Sequence, residues 1–318
     1  MARPGHGDAA SSSGDSAVRS TLVDPLALLV LLVMGTLAGA INAAVGSGSL
    51  LTLPVLLALG IPPGTAVRTN TIGILFSTIG SVTGYRRELA AEGRELRPLI
   101  VTTTVMATLG AMLLLVSPSG ALDVVVPVLI VVALAMVVLQ KPFVRALAAR
   151  RARRDAADGS PSPDGTLTDA DDPSAATGSG APEQFGSAAA GAVPRSPYRS
   201  PGVLAAMGGA SIYGGYFTAA QGILYLGILG VATGKPMGAV NHVKNLASLV
   251  VNAAAAAVYL IAHVVLGVDI VWVASGAIAV GALLGGYFGA HLAKRMPEWL
   301  LRGIIVVVAL VALVRQVL

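Results

Sequence analysis

The length of its apolar runs constrains this chain more than any other feature. Nine stretches, at about 25–45, 49–60, 66–85, 98–116, 121–140, 202–231, 238–265, 268–292 and 298–315, are almost free of charge. A bilayer's hydrocarbon core is about 30 Å thick and takes roughly 20 apolar residues to cross as a helix. Most of the runs reach that length. Composition leads the same way: 55% of residues are hydrophobic and 12% charged, with a mean hydropathy of +0.78. A soluble domain carries about a quarter charged residues, so a water-soluble fold would lack the polar surface to cover its core. The expectation is an all-α polytopic membrane protein with about eight transmembrane helices.

Two runs are interrupted. Gly46-Ser47-Gly48-Ser49 breaks the apolar stretch 25–60, and Ala220-Gln221-Gly222 breaks 202–231. Each interruption leaves an apolar piece of about 8 to 12 residues, a half-helix rather than a span. Non-helical backbone at membrane depth is tolerated only where protein buries it or a wet cavity borders it. The breaks therefore mark candidate site positions.

The chain divides into a polar N-terminal tail (1–23), a first transmembrane repeat (24–142), a linker (143–200) and a second transmembrane repeat (201–318). The tail is Gly/Ser/Ala-rich, with no charged segment leading into a cleavable apolar stretch, and is read as disordered rather than as a signal peptide. The linker runs from basic (Arg145, Arg150, Arg151, Arg153, Arg154) to acidic (Asp155, Asp158, Asp164, Asp169) and is rich in Ser, Gly and Pro. It cannot bury enough apolar surface to offset its ordering entropy, so it reads as a disordered cytoplasmic tether. The flanking halves align at an offset near 173 residues, Gly35 on Gly208 and Ala66-Val67 on Ala239-Val240, and each runs broken helix, polar turn, helix and two plain apolar helices. Duplicated halves are a common transporter plan.

Net charge is +5, from 21 basic and 16 acidic residues. The basic residues flank apolar runs, as the positive-inside rule expects, so the charge is no sign of nucleic-acid binding. Arg86, Arg87, Arg94 and Arg97, with the 145–154 cluster, belong on the cytoplasmic side. The turn near Asp269 has no basic residue, whereas Lys294, Arg295 and Arg302 sit in the next loop, after the run 268–292. That reversal favours inverted repeats, which need an odd number of crossings per half and a re-entrant broken element. No cysteine is present, which excludes disulfides and thiolate metal sites.

The candidate chemistry gathers around the breaks. At the first, Asn42, Gly46, Ser47, Gly48 and Ser49 combine freed backbone groups with hydroxyl donors, and a half-helix starting at Ser49 aims its N–H groups and positive dipole end inward, favouring an anion. Arg68, Thr69 and Asn70 follow on the next helix, with Asn241, His242, Lys244 and Asn245 as their counterparts in the second half. Charged residues inside apolar runs are costly and face a cavity or a partner, and these suit an oxyanion. Arg68 would equally serve by snorkelling to the interface. Gln221 and Gly222 occupy the second break. His242 is a candidate for coupling anion movement to protons. There is no G-x-S-x-G, Walker A or H-E-x-x-H motif, so neither an enzyme, a cofactor nor a metal site is expected. Intramembrane carboxylates are scarce, which argues against cation transport.

These residues resemble the TauE/SafE family of membrane permeases, the sulfite exporter family. The first-half likeness runs through Gly39-Ala40-Ile41-Asn42-Ala43-Ala44-Val45-Gly46-Ser47-Gly48-Ser49-Leu50-Leu51, Pro54, Gly60-Ile61-Pro62, Ala66-Val67 and Thr69. The second runs through Gly214-Gly215-Tyr216-Phe217, Gly222, Ala239-Val240, Lys244-Asn245 and Gly285-Gly286-Tyr287-Phe288-Gly289. The resemblance implies ATP-independent movement of sulfite, a sulfonate or a related small organic anion. With the residues above it points to a secondary carrier in the bacterial inner membrane, whose partners are a small anion and the lipid bilayer. A channel is the nearest rival, and a membrane-embedded sensor or enzyme a more distant one.

Overall fold

The computed structural model describes residues 25–157, 197–235 and 237–292. Among them are ten α-helices, two 3-10 segments and no strand. The helices are α1 (Pro25–Ala44), α2 (Ser49–Ala58), α3 (Pro63–Gly84), α4 (Arg86–Glu92), α5 (Arg97–Val116), α6 (Ser119–Ala157), α7 (Pro201–Phe217), α8 (Gln221–Thr233), α9 (Met237–Leu266) and α10 (Trp272–Leu292). The 3-10 turns are Gly93–Leu96 and Pro197–Arg199.

Five of these, α1, α5, α6, α9 and α10, are long and apolar enough to cross a membrane. That is fewer than the expected eight, and the difference has physical sources. Helix α3 has the length, at 22 residues, but buries Thr69, Asn70, Thr71, Ser77, Thr78 and Ser81, so its mean hydropathy is low because it faces protein. Helix α7 stops after 17 residues, at the second break. The apolar run 298–315 and the polar tail 1–23 lie outside the described residues.

The linker expected from 143 begins later. Helix α6 runs on to Ala157, because 145–154 is built of Ala, Arg and Leu, strong helix formers, with no glycine before Gly159. Its last residues are ordered too: Tyr198, in the 3-10 turn before α7, is buried and donates to Glu92 Oε1 at 3.4 Å. Burial, and then Glu92, push this phenol up to about 12, so it remains a donor at neutral pH. The rest of the linker, 158–196, is outside the described residues.

Polarity is inverted relative to a soluble protein. Val101, Val105, Leu109, Val116, Val124, Val128, Ile261 and Phe288 are exposed, while Asn42, Thr52, Asn70, Lys244, Asn245 and Asn252 are buried. That is the surface a bilayer selects, since lipid replaces the apolar core as the environment for large side chains. Without a hydrophobic drive between helices, small residues set the close contacts. Helices α1 and α10 run side by side in the same direction: Gly281 lies on Leu32, Gly285 on Thr36 and Gly289 on Ala40. Helices α5 and α7 repeat that pairing, with Gly215 on the Ala107 carbonyl and Gly110 on that of Ile212. Helices α3 and α9 join the pairs across the middle.

The contacts define two ends. At one, Arg68 Nε donates to the Asp269 carbonyl at 3.0 Å, and Gly64 lies against Leu122. The turn after α2, the α5–α6 turn and the α9–α10 loop therefore sit together. At the other end the strap of residues 85–96 meets the start of α9, where His242 Nε2 lies 3.3 Å from Glu92 Oε1. Helix α2 thus runs from the interior toward the Arg68 end. Helix α8 runs from the interior toward the strap end.

Candidate functional site

The two breaks meet. Helix α1 ends at Ala44 because Gly46 takes a left-handed conformation, φ 85°, where a glycine meets no Cβ penalty. Helix α7 ends at Phe217, and the chain turns through Thr218 (φ 67°) and Ala220 (φ 59°). The loops touch through backbone: Gly222 N–H donates to the Gly46 carbonyl at 3.2 Å. A Cβ on either glycine would lie 2.5 Å from the other's Cα, so both positions require glycine. The half-helices α2 and α8 start on opposite sides of this contact and point away from each other. Neither start is capped by a side chain; tight backbone bonds to the Ser47, Gly48 and Ala220 carbonyls take the Leu50, Leu51 and Ile223 N–H groups instead.

Helix α9 closes the end of α1. Lys244 is fully buried, and its Nζ donates to the Asn42 carbonyl at 2.9 Å, the Ala43 carbonyl at 3.3 Å and Asn245 Oδ1 at 2.9 Å. Asn245 Nδ2 and Asn241 Nδ2 donate to the same Ala43 carbonyl at 3.4 and 3.2 Å. Asn241 also donates to Tyr85 Oη at 3.0 Å. A helix end cut off inside a bundle leaves its last carbonyls without intrahelical donors. Here one ammonium and two amides take them, and the ammonium suits the dipole's negative end. The three acceptors around Nζ match the three protons of an ammonium.

Helix α3 ties the half-helices in. Thr52 Oγ1 donates to Asn70 Oδ1 at 2.5 Å, one turn into α2. Thr71 Oγ1 and Thr218 Oγ1 share a hydrogen bond of 2.8 Å, joining α3 to the second break. Asn42 Nδ2 donates to Ser77 Oγ at 3.2 Å. Gln221 Nε2 donates to Asn252 Oδ1 at 3.1 Å, while its Oε1 packs against Gly214. Among the described residues four buried donor groups have no protein acceptor: Ser47 Oγ in the first break, Asn70 Nδ2, Ser248 Oγ and Tyr213 Oη. Gln221 Oε1 and Asn241 Oδ1 are unpaired acceptors. Buried polar atoms of this kind are rare and call for an explanation.

Of the residues singled out in the sequence, Asn42, Gly46, Ser47, Gly48, Ser49, Asn70, Gln221, Gly222, Asn241, Lys244 and Asn245 come together around the breaks. Three do not. Arg68, half-exposed, braces the α9–α10 loop and Thr65. Thr69 Oγ1 accepts from Val271 N–H at 3.1 Å, and its carbonyl accepts from Ser275 at 2.9 Å. His242 sits at the strap end against Glu92. Sequence reasoning missed Thr52, Ser77, Thr218, Ser248 and Asn252. The signal for two of them was present: Lys244, Ser248 and Asn252 recur every fourth residue and so share one helix face. Among the described residues no three His, Asp or Glu side chains gather to hold a metal ion.

The sulfite exporter TauE/SafE family model matches residues 31–315. Among curated proteins, the probable membrane transporter protein ORF9 of Sinorhizobium sp is 31% identical over 104 residues, 33% of this chain and 40% of that protein. The probable membrane transporter protein YfcA of Escherichia coli K12 is 31% identical over 110 residues, 35% of this chain and 41% of that protein. The match thus spans about two fifths of each relative. No solved structure matches.

Proposed function

The chain belongs to the TauE/SafE sulfite exporter family, and from that premise we propose that it is a secondary carrier moving sulfite, a sulfonate or a related small oxyanion across the bacterial plasma membrane. One observation carries this reading: two uncapped half-helix N-termini meet inside an apolar bundle at Gly46 and Gly222. Discontinuous helices with N-termini directed at the middle of the membrane are a known way of holding an anion without a fixed countercharge. Ser47 Oγ and Asn70 Nδ2 supply side-chain donors. Lys244, Asn245 and Asn241 set the local charge from α9.

We read the two halves as inverted repeats. Helices α1, α2, α3 and α5 start at residues 25, 49, 63 and 97, and their counterparts α7, α8, α9 and α10 at 201, 221, 237 and 272. Helix α2 runs toward the Arg68 end and α8 toward the strap end, as a two-fold axis in the membrane plane requires. Counting α3 and α7 with the five long apolar helices gives seven membrane-embedded helices among the described residues. Arg86, Arg87, Arg94, Arg97, Arg199 and Lys235 gather at the strap end against Arg68 at the other, which puts the strap end in the cytoplasm. In the described state the Gly46–Gly222 contact shuts the middle. Rocking one half against the other opens it to one side at a time.

The test is uptake of isotopically labelled sulfite and of a simple sulfonate into proteoliposomes holding the purified full chain, with and without an imposed proton gradient. Saturable flux of at least one of these anions is expected, with stimulation by the gradient if protons are coupled. Flux that rises linearly with concentration would make the protein a channel, and absence of flux for every oxyanion tried would refute the carrier reading.

A further inference from the structure

The strap end holds a second basic feature, which the midplane site does not use. Arg94, Arg97 and Arg199 line a cavity of about 320 Å³ together with Glu95 and Pro98. All three arginines are exposed, and none has a carboxylate partner among the described residues. They come from two places far apart in sequence: Arg94 and Arg97 from the junction of the first 3-10 turn with α5, and Arg199 from the 3-10 turn leading into α7. These turns are held together beneath the cavity by buried Leu96 and Tyr198.

Direction along α5 identifies what reaches this cavity. Val101, Val105, Leu109 and Val116 are exposed by 62%, 50%, 50% and 75%, and they follow Arg97 at helical spacing on one face. Arg97 therefore stands at the head of a lipid-facing stripe. A molecule with a phosphate on the arginines and hydrocarbon along that stripe satisfies both halves of the surface. We propose that Arg94, Arg97 and Arg199 form a binding site for the head group of an anionic phospholipid, with its acyl chains on the Val101–Val105–Leu109 face of α5.

Guanidinium groups suit phosphate because their fixed fork of N–H donors matches two oxygens at once. Basic pockets between membrane helices on the cytoplasmic side are recognised lipid head-group sites. The positive-inside rule alone predicts no such cavity: Arg86 and Arg87 satisfy that rule equally well and lie outside it. Three guanidiniums and one carboxylate leave two positive charges. A head group with two phosphates balances them, one with a single phosphate does so in part, and a zwitterion leaves both uncompensated. Bound there, the lipid clasps the strap to the start of the second half, across the seam between halves.

Native mass spectrometry of the full chain tests this, with cardiolipin, phosphatidylglycerol or phosphatidylcholine added to detergent-purified protein. Retention should fall in that order, at least about fivefold from the first to the last. The triple variant R94Q/R97Q/R199Q should lose most of that preference, the single variant R199Q should lose at least half, and R86Q/R87Q should behave as the unmodified protein. All these side chains are exposed, and R199Q changes only one, so a folding defect in the triple variant leaves the single one decisive. Equal retention of cardiolipin by R199Q and the unmodified chain would overturn the proposal. So would an equal loss in R86Q/R87Q, since any basic surface would then suffice. A free-anion site is the remaining outcome: if labelled sulfate binds lipid-free protein and only that binding falls in R199Q, the site takes a soluble oxyanion and the lipid assignment is wrong. None of these measurements depends on transport.

Discussion

The two breaks do the same job with different chemistry. At the first, glycine supplies the left-handed turn, at Gly46, and the severed end of α1 is held by a cation, Lys244, with Asn241 and Asn245. At the second, Thr218 and Ala220 take left-handed conformations despite their Cβ atoms, at a cost of about 1 kcal/mol each. The end of α7 is held by neutral groups: Tyr259 Oη donates to the Gly215 carbonyl at 2.7 Å, and Thr218 bonds Thr71. The two breaks thus share a shape while their charge is one-sided. An ammonium stands only beside the first break, supplied by Lys244 of α9, so the two breaks are not chemically equivalent.

The largest break in that comparison comes from Lys244→Met. It removes the cation and leaves the Asn42 and Ala43 carbonyls buried with fewer donors, so anion flux in proteoliposomes should fall by about 100-fold, or roughly 2.7 kcal/mol of transition-state stabilisation. Normal flux at normal abundance would remove the cation from the account. Next are Gly46→Ala and Gly222→Ala, each pressing a methyl into the opposite backbone 2.5 Å away. Both should cost about 1–3 kcal/mol in thermal unfolding and lower flux at least tenfold. If one of the pair is tolerated and the other is not, the loops do not share a single contact in the working protein.

Tyr259→Phe removes the neutral counterpart of Lys244. Hydrogen bonds between membrane helices are worth about 0.6 kcal/mol on average, so its melting temperature should drop by only a few degrees and flux by less than threefold. An effect as large as that of Lys244→Met would erase the asymmetry. The smallest change has the opposite sign. Ala220→Gly relieves the left-handed strain and should leave flux intact while raising stability by a few tenths of a kcal/mol, the relief exceeding the added flexibility of the unfolded chain. A loss of stability would show that the Ala220 methyl packs usefully.

Much of this was legible in the sequence, and the reason is the bilayer. A solvent that forbids unpaired backbone makes every polar or glycine interruption of an apolar run conspicuous, Gly46–Ser49 and Gln221–Gly222 among them. Lys244 stood out because a charge deep in an apolar run needs a reason. What the sequence could not show is which way each polar residue turns. Arg68, Thr69 and Asn70 are consecutive, yet a helix spreads them over 200° of arc, and Asn70 alone faces the breaks while Thr69 serves the α9–α10 loop. His242 and Lys244 diverge for the same reason: two residues apart lie on opposite sides of a helix. The hydropathy of α3 misleads in the other direction, since all its serines and threonines but Thr83 are buried, and Ser81 and Thr71 bond their own helix carbonyls.

The central claim is that an anion occupies the space between the two half-helix starts. The chain has no cysteine, so Ser47→Cys provides a single reporter there, and its alkylation by iodoacetamide can be followed in proteoliposomes. With a sulfonate that saturates flux, the account predicts that alkylation at Ser47→Cys slows at least fivefold, while a cysteine placed at Gly267, in the α9–α10 loop, reacts at an unchanged rate. An unchanged rate at Ser47→Cys, with flux still saturating, would contradict it and put the anion elsewhere.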